Sequence, residues 1–241
     1  MHRFLVPGDL LVGDRATLQG ATARQISVVL RLRPGEHITL IDGQGSEAEC
    51  VLTTVAQRQA TVQVLERTCN MAEPALRVHL FPALLRAPRF ELVLQKATEL
   101  GVSAITPVLA QRSVARPPGD AAPERWKSIV REAVEQSGRG RLPELRAPIA
   151  FQTACLEAGQ ADLAVCCSEH GGVEFRKLYA QGVPRTLAAI IGPEGGLTPG
   201  EVTGAAEAGL HAVTLGPRIL RAETAAIAVC AAAYCLSGDW R

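Results

Sequence analysis

The chain has 241 residues, 47% hydrophobic and 20% charged, with a formal net charge of +1. That balance belongs to a folded globular protein with a real core and excludes a disordered or strongly charged tail. The longest purely apolar run, Ala225 to Leu236, is well short of the roughly 20 residues that span a bilayer.

The opening segment, Met1 to Asp9, has no apolar stretch of signal-peptide length, so no leader is expected. Residues 1 to about 70 read as β-rich. The apolar run Val28-Val29-Leu30 leads into an Arg33-Pro34-Gly35-Glu36 turn. His37 to Ile41 is a short strand, Asp42-Gly43 a hairpin signal, and Glu47 to Thr54 and Ala60 to Glu66 two alternating runs. Closely spaced strands of this kind suggest a small barrel.

Near residue 72 the period changes. Strand candidates at 76–82, 103–109, 161–167, 186–191 and 211–215 alternate with helical runs at 89–100, 123–137, 173–180, 199–208 and 222–236. That alternation predicts an α/β domain with a mainly parallel sheet covered on both faces. Leu187 to Ile191 is apolar at every position, as a doubly buried central strand requires. Arg116-Pro117-Pro118-Gly119-Asp120 reads as a linker.

The seven cysteines contain no C-x-x-C pair and are odd in number, which predicts reduced thiols, mostly core filler, and neither disulfide framework nor structural zinc. Only Lys96, Lys127 and Lys177 are lysines among the 25 basic residues. Arginine suits bidentate recognition of phosphate and base edges, although genome composition explains the same bias. The stretch Arg112 to Arg146 is mildly basic. The five histidines are scattered. His79 reads as a satisfied core or edge residue, and His170 as a candidate at a site rim. No H-E-x-x-H or G-x-S-x-G pattern is present.

Chemistry concentrates in two late loops. Ile191-Gly192-Pro193-Glu194-Gly195-Gly196-Leu197 leaves the buried strand and enters a helix. Thr198 stands there as N-cap, Pro199 at the first helical position and Glu201 as the capping-box partner. This is the carboxyl end of a strand, where α/β sheets bind ligands, and glycines there allow close backbone approach. A tight strand-to-helix turn fits the same residues. The spacing matches neither dinucleotide nor P-loop motifs. The second loop, Leu215-Gly216-Pro217-Arg218-Ile219-Leu220-Arg221-Ala222-Glu223-Thr224-Ala225, also leaves a strand for a helix. It carries two arginines and a glutamate; a cap with a local salt bridge is the alternative reading.

These two loops resemble the cofactor-loop motifs of the SPOUT methyltransferase superfamily. Within it they are similar to the ribosomal RNA small subunit methyltransferase E (RsmE) family, which methylates uridine N3 in 16S rRNA, with U1498 as the family target. Gln95 to Val102, Glu132 to Arg139 and Arg31-Leu32-Arg33-Pro34-Gly35 agree with that family, so the resemblance spans nearly the whole chain. It implies a PUA-like β-barrel over 1–72 that binds RNA, then a SPOUT α/β trefoil-knot domain over 73–241. It also implies S-adenosylmethionine as cofactor, a cytoplasmic homodimer, and 16S rRNA or the small ribosomal subunit as partner.

Carried over by position, Ile191, Gly192, Pro193, Glu194, Gly195 and Gly196 line the cofactor pocket from one side. Leu215, Gly216, Arg218, Ile219, Leu220 and Thr224 line it from the other. Arg221 is expected to orient the target uridine or stabilise its developing anion, with Glu223 positioning that arginine. Glu194 and Glu201 are candidates for a general base, and proton loss to solvent is the alternative. Arg3, Arg24, Arg31, Arg86, Arg139 and Arg141 are expected on RNA. Two departures from the family pattern are Gln25, where a histidine is common, and Arg86-Ala87-Pro88-Arg89, where a Lys-Gly-Asp-Arg turn is usual. Two further readings stay open: a SPOUT enzyme on tRNA or large-subunit rRNA, and a non-catalytic ribosome-assembly factor.

Overall fold

The structure is a computed structural model describing residues 1–115, 122–169 and 171–240. His170 and the expected linker at Arg116–Asp120 lie outside the described residues. The chain forms two compact units, Met1–Glu73 with Arg131–Leu142, and Pro74–Val130 with Pro143–Arg241. The first unit thus closes one residue beyond the expected boundary, and it also takes a returning segment that the expected division left in the second.

In the first unit, β1 (His2–Leu5), β2 (Arg15–Gln19), β3 (His37–Ile41), β4 (Ser46–Val55) and β5 (Gln59–Cys69) form one sheet in the order β1-β3-β4-β5-β2. Phe4 of β1 and Leu18 of β2, at opposite ends of that order, enter the same core as Ile38, Leu52 and Val62. Strands spaced about 4.8 Å apart in a flat sheet could not converge so. The sheet coils, helped by register shifts at Glu49/Cys50 and Leu52/Thr54.

The β3–β4 connection is longer than a two-residue hairpin turn. The Asp42 carboxylate accepts the N–H groups of Gln44 and Ser46 at 2.7 and 2.9 Å. Val28 and Val29 fall in a π-helical turn, Gln25–Val29, that follows the short helix α1 (Gly20–Arg24). The returning segment is tied in by polar groups. Glu135 accepts the Leu5 N–H at 2.8 Å, and the Asn70 amide donates to the Gly138 carbonyl at 3.0 Å.

The second unit contains β6 (Arg77–Pro82), α2 (Ala87–Leu100), β7 (Ala104–Ile105), β8 (Val108–Leu109) and the start of α3 (Ala122–Ser137). It continues with β9 (Glu144–Leu145), β10 (Ile149–Ala150), α4 (Phe151–Ala158), β11 (Leu163–Cys167), β12 (Val173–Glu174), β13 (Thr186–Ile191), α5 (Pro199–Glu207), β14 (His211–Thr214) and α6 (Ala222–Ser237). Seven strands form an all-parallel sheet, β12-β14-β11-β13-β6-β7-β9. The apolar β13 is buried on both faces. Leu187, Ala189 and Ile191 join the core beneath α2 and α6, while Ala188 and Ile190 join the core beneath α4 and α5.

Two expectations change here. The strand predicted over 103–109 is broken into β7 and β8 around Thr106-Pro107, because proline has no N–H for a ladder. The helix predicted over 173–180 is instead β12 followed by a 3-10 turn, Phe175–Gln181. Within that turn Phe175, Leu178 and Tyr179 pack on the core while Arg176, Lys177 and Ala180 stay exposed, so the expected apolar face is present on a segment too short to hold an α-helix by itself.

Candidate cofactor site

β11 lies between β13 and β14 in the sheet, with Cys167 in register with both Ile191 and Val213. The carboxyl ends of three adjacent parallel strands therefore open together, and a cavity of about 830 Å³ lies there. That is within the range of about 300–1,000 Å³ usual for small-molecule sites.

Both glycine loops line the cavity. Ile191, Gly192, Pro193, Gly195 and Gly196 come from the first, and Leu215, Gly216, Arg218, Ile219 and Leu220 from the second. Glu194, Thr224, Arg221 and Glu223, expected at the site, are not among the lining residues. Sequence reasoning missed Cys167 at the end of β11 with Ser168 and Glu169 after it, Arg112, and Val202 and Thr203 of α5. The neighbouring positions of β11 and β14 reveal the first group, and strand order is absent from a linear pattern. Burial pushes the Cys166 thiol up to about 12, so it stays protonated and serves as apolar wall.

Two glycines of the first loop stand where a side chain would be crowded. A Cβ on Gly195 would sit 3.1 Å from the Arg112 Cβ, and one on Gly192 3.0 Å from the Leu197 side chain. Gly196 and Gly216 adopt left-handed φ of 68° and 122°. The helix after the first loop starts as expected. The Thr198 hydroxyl accepts the Glu201 N–H and Glu201 accepts the Thr198 N–H at 2.8 Å, a complete capping box. The other Glu201 oxygen accepts the Gln111 N–H at 2.8 Å. With both oxygens committed, Glu201 is a structural group and not the base considered for it.

Glu223 is also corrected. Its carboxylate faces Arg89 of α2, with Nε 3.7 Å from Oε1, and does not pair with Arg221. Arg89 also binds Glu194 of the first loop at 3.0 Å. Arg221 is the N-cap residue of α6 and is exposed, with no ion pair among the described residues.

The six arginines expected on RNA divide. In the first unit Arg24, Arg31 and Arg141 are exposed, and Arg31 holds a left-handed φ of 55°. Arg3 pairs with Glu47 at 2.5 Å. Arg139 is buried, its guanidinium 2.9 Å from Glu73, so it is a structural residue removed from any RNA surface. In the second unit Arg86 is exposed at the N-cap of α2.

The chain matches two family descriptions: an RNA methyltransferase domain over residues 72–234 and an RNA methyltransferase PUA domain over 29–65. It is 35% identical to a ribosomal RNA small subunit methyltransferase E of Synechocystis, covering 93% of this chain and 74% of that protein. It is 33% identical to the protein of that name from Bacillus subtilis, over 87% and 85%. Among solved structures, ribosomal RNA small subunit methyltransferase E from Neisseria gonorrhoeae, bound to S-adenosyl methionine, superposes with TM-score 0.92 at 36% identity over the full length of both chains. A structure from Legionella pneumophila, in complex with bound cofactor SAM, gives TM-score 0.89 at 32% identity over 97% and 96%.

Proposed function

The chain belongs to the ribosomal RNA small subunit methyltransferase E family, an S-adenosylmethionine-dependent rRNA methyltransferase, and we propose that it methylates N3 of a uridine in 16S rRNA. The observation that carries the cofactor part is the cavity at the ends of β11, β13 and β14. Gly192 and Gly195 are crowded against Leu197 and Arg112, and Gly196 and Gly216 hold left-handed backbone, so the walls are main chain that adenine and ribose can approach closely. Gly192, Gly195, Gly196, Leu215, Gly216, Ile219 and Leu220 would hold the cofactor.

S-adenosylmethionine supplies an electrophilic sulfonium methyl. What remains for the chain is alignment of the acceptor nitrogen and loss of the imide proton. Arg221 stands between the lining residues Leu220 and Ala222, at the N-terminus of the 16-residue helix α6. Its guanidinium and the helix N–H groups together favour an anion there, which lowers the cost of deprotonating uridine N3. With Glu201 committed to its cap and Gln111, and Glu194 paired with Arg89, the proton goes to solvent.

In this reading the first unit is the RNA-binding domain, with Arg24, Arg31 and Arg141 on phosphate, and Arg86 of the second unit also meets RNA. The trefoil knot, the homodimer, cytoplasmic location and action on 16S rRNA or the small subunit belong to the same proposal. Two glycine loops lining one cavity favour it over a non-catalytic assembly factor. Calorimetric titration with S-adenosylmethionine tests the cofactor. Nucleoside mass spectrometry of rRNA from a deletion strain tests the target: loss of 3-methyluridine from 16S rRNA is expected. A modification missing from tRNA or large-subunit rRNA instead would overturn the assignment.

A further inference from the structure

Arg89 occupies the first turn of α2, where a cation opposes the helix dipole. Its side chain is 42% exposed. It meets two carboxylates from separate loops: Glu194 Oε1 at 3.0 Å and Glu223 Oε1 at 3.7 Å. Glu194 sits among the cavity-lining glycines of the first loop, and Glu223 follows the lining residue Ala222 in the first turn of α6. The Glu223 side chain is nine-tenths buried, and its Oε2 has no hydrogen-bond partner. An ionised carboxylate so placed depends on a nearby cation, because removing one member of a buried pair leaves the other charge uncompensated. None of Arg89, Glu194 and Glu223 lines the cavity.

We propose that Arg89 is a positioning residue for the cofactor site, one guanidinium that fixes the Gly192–Gly196 loop through Glu194 and the α6 N-terminus through Glu223. The inference rests on the cofactor reading given above. Its physical content is coupling: the two loops hold their spacing through a third element that touches neither ligand nor cavity. A lysine carries the charge but is a point donor without the planar fork, so it serves one carboxylate at a time.

The test uses the full-length protein. S-adenosylmethionine affinity is measured by calorimetry for wild type, Arg89→Ala, Arg89→Lys, Glu194→Gln and the double variant Arg89→Ala/Glu194→Gln. Arg89→Ala is expected to weaken binding about tenfold, Arg89→Lys to fall between it and wild type, and the double variant to match Arg89→Ala, since contacting residues are not additive. In steady-state turnover the KM for S-adenosylmethionine rises while kcat at saturation changes by less than about threefold. Amide hydrogen exchange of the cofactor-free Arg89→Ala protein quickens in both Gly195–Gly196 and Thr224–Ala226.

Wild-type affinity in a folded Arg89→Ala protein, or losses for Arg89 and Glu194 that multiply, would overturn the inference. Should Arg89→Ala fail to fold, Glu194→Gln decides alone, because unchanged affinity there rejects the link. A wild-type protein that binds no S-adenosylmethionine overturns the cofactor reading itself, while the exchange measurement still reports on the link between the loops.

Discussion

Arg221 is exposed at the head of α6, has no ion pair among the described residues, and stands between two residues of the cavity wall. A side chain so free contributes little to folding, and its charge is available to a developing anion. Arg221→Ala should lower kcat by about 10²–10³, the scale of losing one preorganised anion-stabilising donor, while affinity for S-adenosylmethionine stays within about threefold. Equal losses in both, read from single-turnover kinetics and calorimetry, would assign Arg221 to cofactor binding. The residue is legible in the sequence because a charge at a strand's carboxyl end has no packing purpose. Its partner is not: Glu223 lies two positions along the same loop, yet its carboxylate meets Arg89, far away in sequence. Sequence proximity suggested a pairing that the structure denies, since Arg221 is on the extended backbone before α6 and Glu223 is already on the helix, turned toward Arg89.

Arg24 and Arg139 make the same point as a contrast. Both are arginines of the first unit, but one is exposed and the other buried on Glu73. Arg24→Ala should leave thermal stability unchanged and reduce the slope of log affinity against log salt for rRNA by about one. Arg139→Ala should cost about 1.5–3 kcal/mol in denaturant unfolding, because it removes a charge-assisted bond from Glu73 and leaves that carboxylate only the Gly140 and Arg141 N–H groups. Composition cannot tell these two apart.

Among elements, those with a strong local signal were readable. β13 occupies the predicted span, Thr186–Ile191, because a strand buried on both faces must be apolar throughout. α5 begins at the predicted cap because Thr198, Pro199 and Glu201 specify it without tertiary help. Thr198→Ala should therefore remove about 1 kcal/mol of stability, measured as a lower urea midpoint with unchanged slope. Strands β9 and β10 have two residues each, and only pairing with neighbours defines them, whereas β7 and β8 are the two halves of the strand expected over 103–109. β1 and β2 were likewise silent: His2–Leu5 and Arg15–Gln19 become edge strands because a coiled sheet accepts them. The cavity was half legible for the same reason, its loops from their glycines and its β11 wall only from strand order.

Across the whole molecule, acid should act through His79. Burial, with Arg146 adding to it, pushes this imidazole down to about 4. Its ring is 2.8 Å from the Thr106 hydroxyl and stacks on Phe81 at a centroid distance of 3.9 Å. The unfolded chain takes up a proton near pH 6.5 and the folded one resists until about pH 4. Stability from this group is thus complete above about pH 6.5 and declines as pH falls toward 4, by up to about 3 kcal/mol. His79→Gln should flatten the unfolding free energy over that window, whereas a parallel decline in both proteins would locate the acid sensitivity elsewhere.

The first unit needs Arg131–Leu142 as well as Met1–Glu73, and this has a consequence for biosynthesis. Leu5 finds its acceptor on Glu135, Asn70 its acceptor on Gly138, and Glu73 its cation on Arg139. A nascent chain that has released only its leading strands must wait for these later residues to clear the ribosomal exit tunnel. The amino-terminal module is first to emerge, yet its last piece ends at Leu142, after Pro74–Val130 of the second unit is already out. An expression fragment cut at residue 73 would leave the unfinished form of that module permanently incomplete.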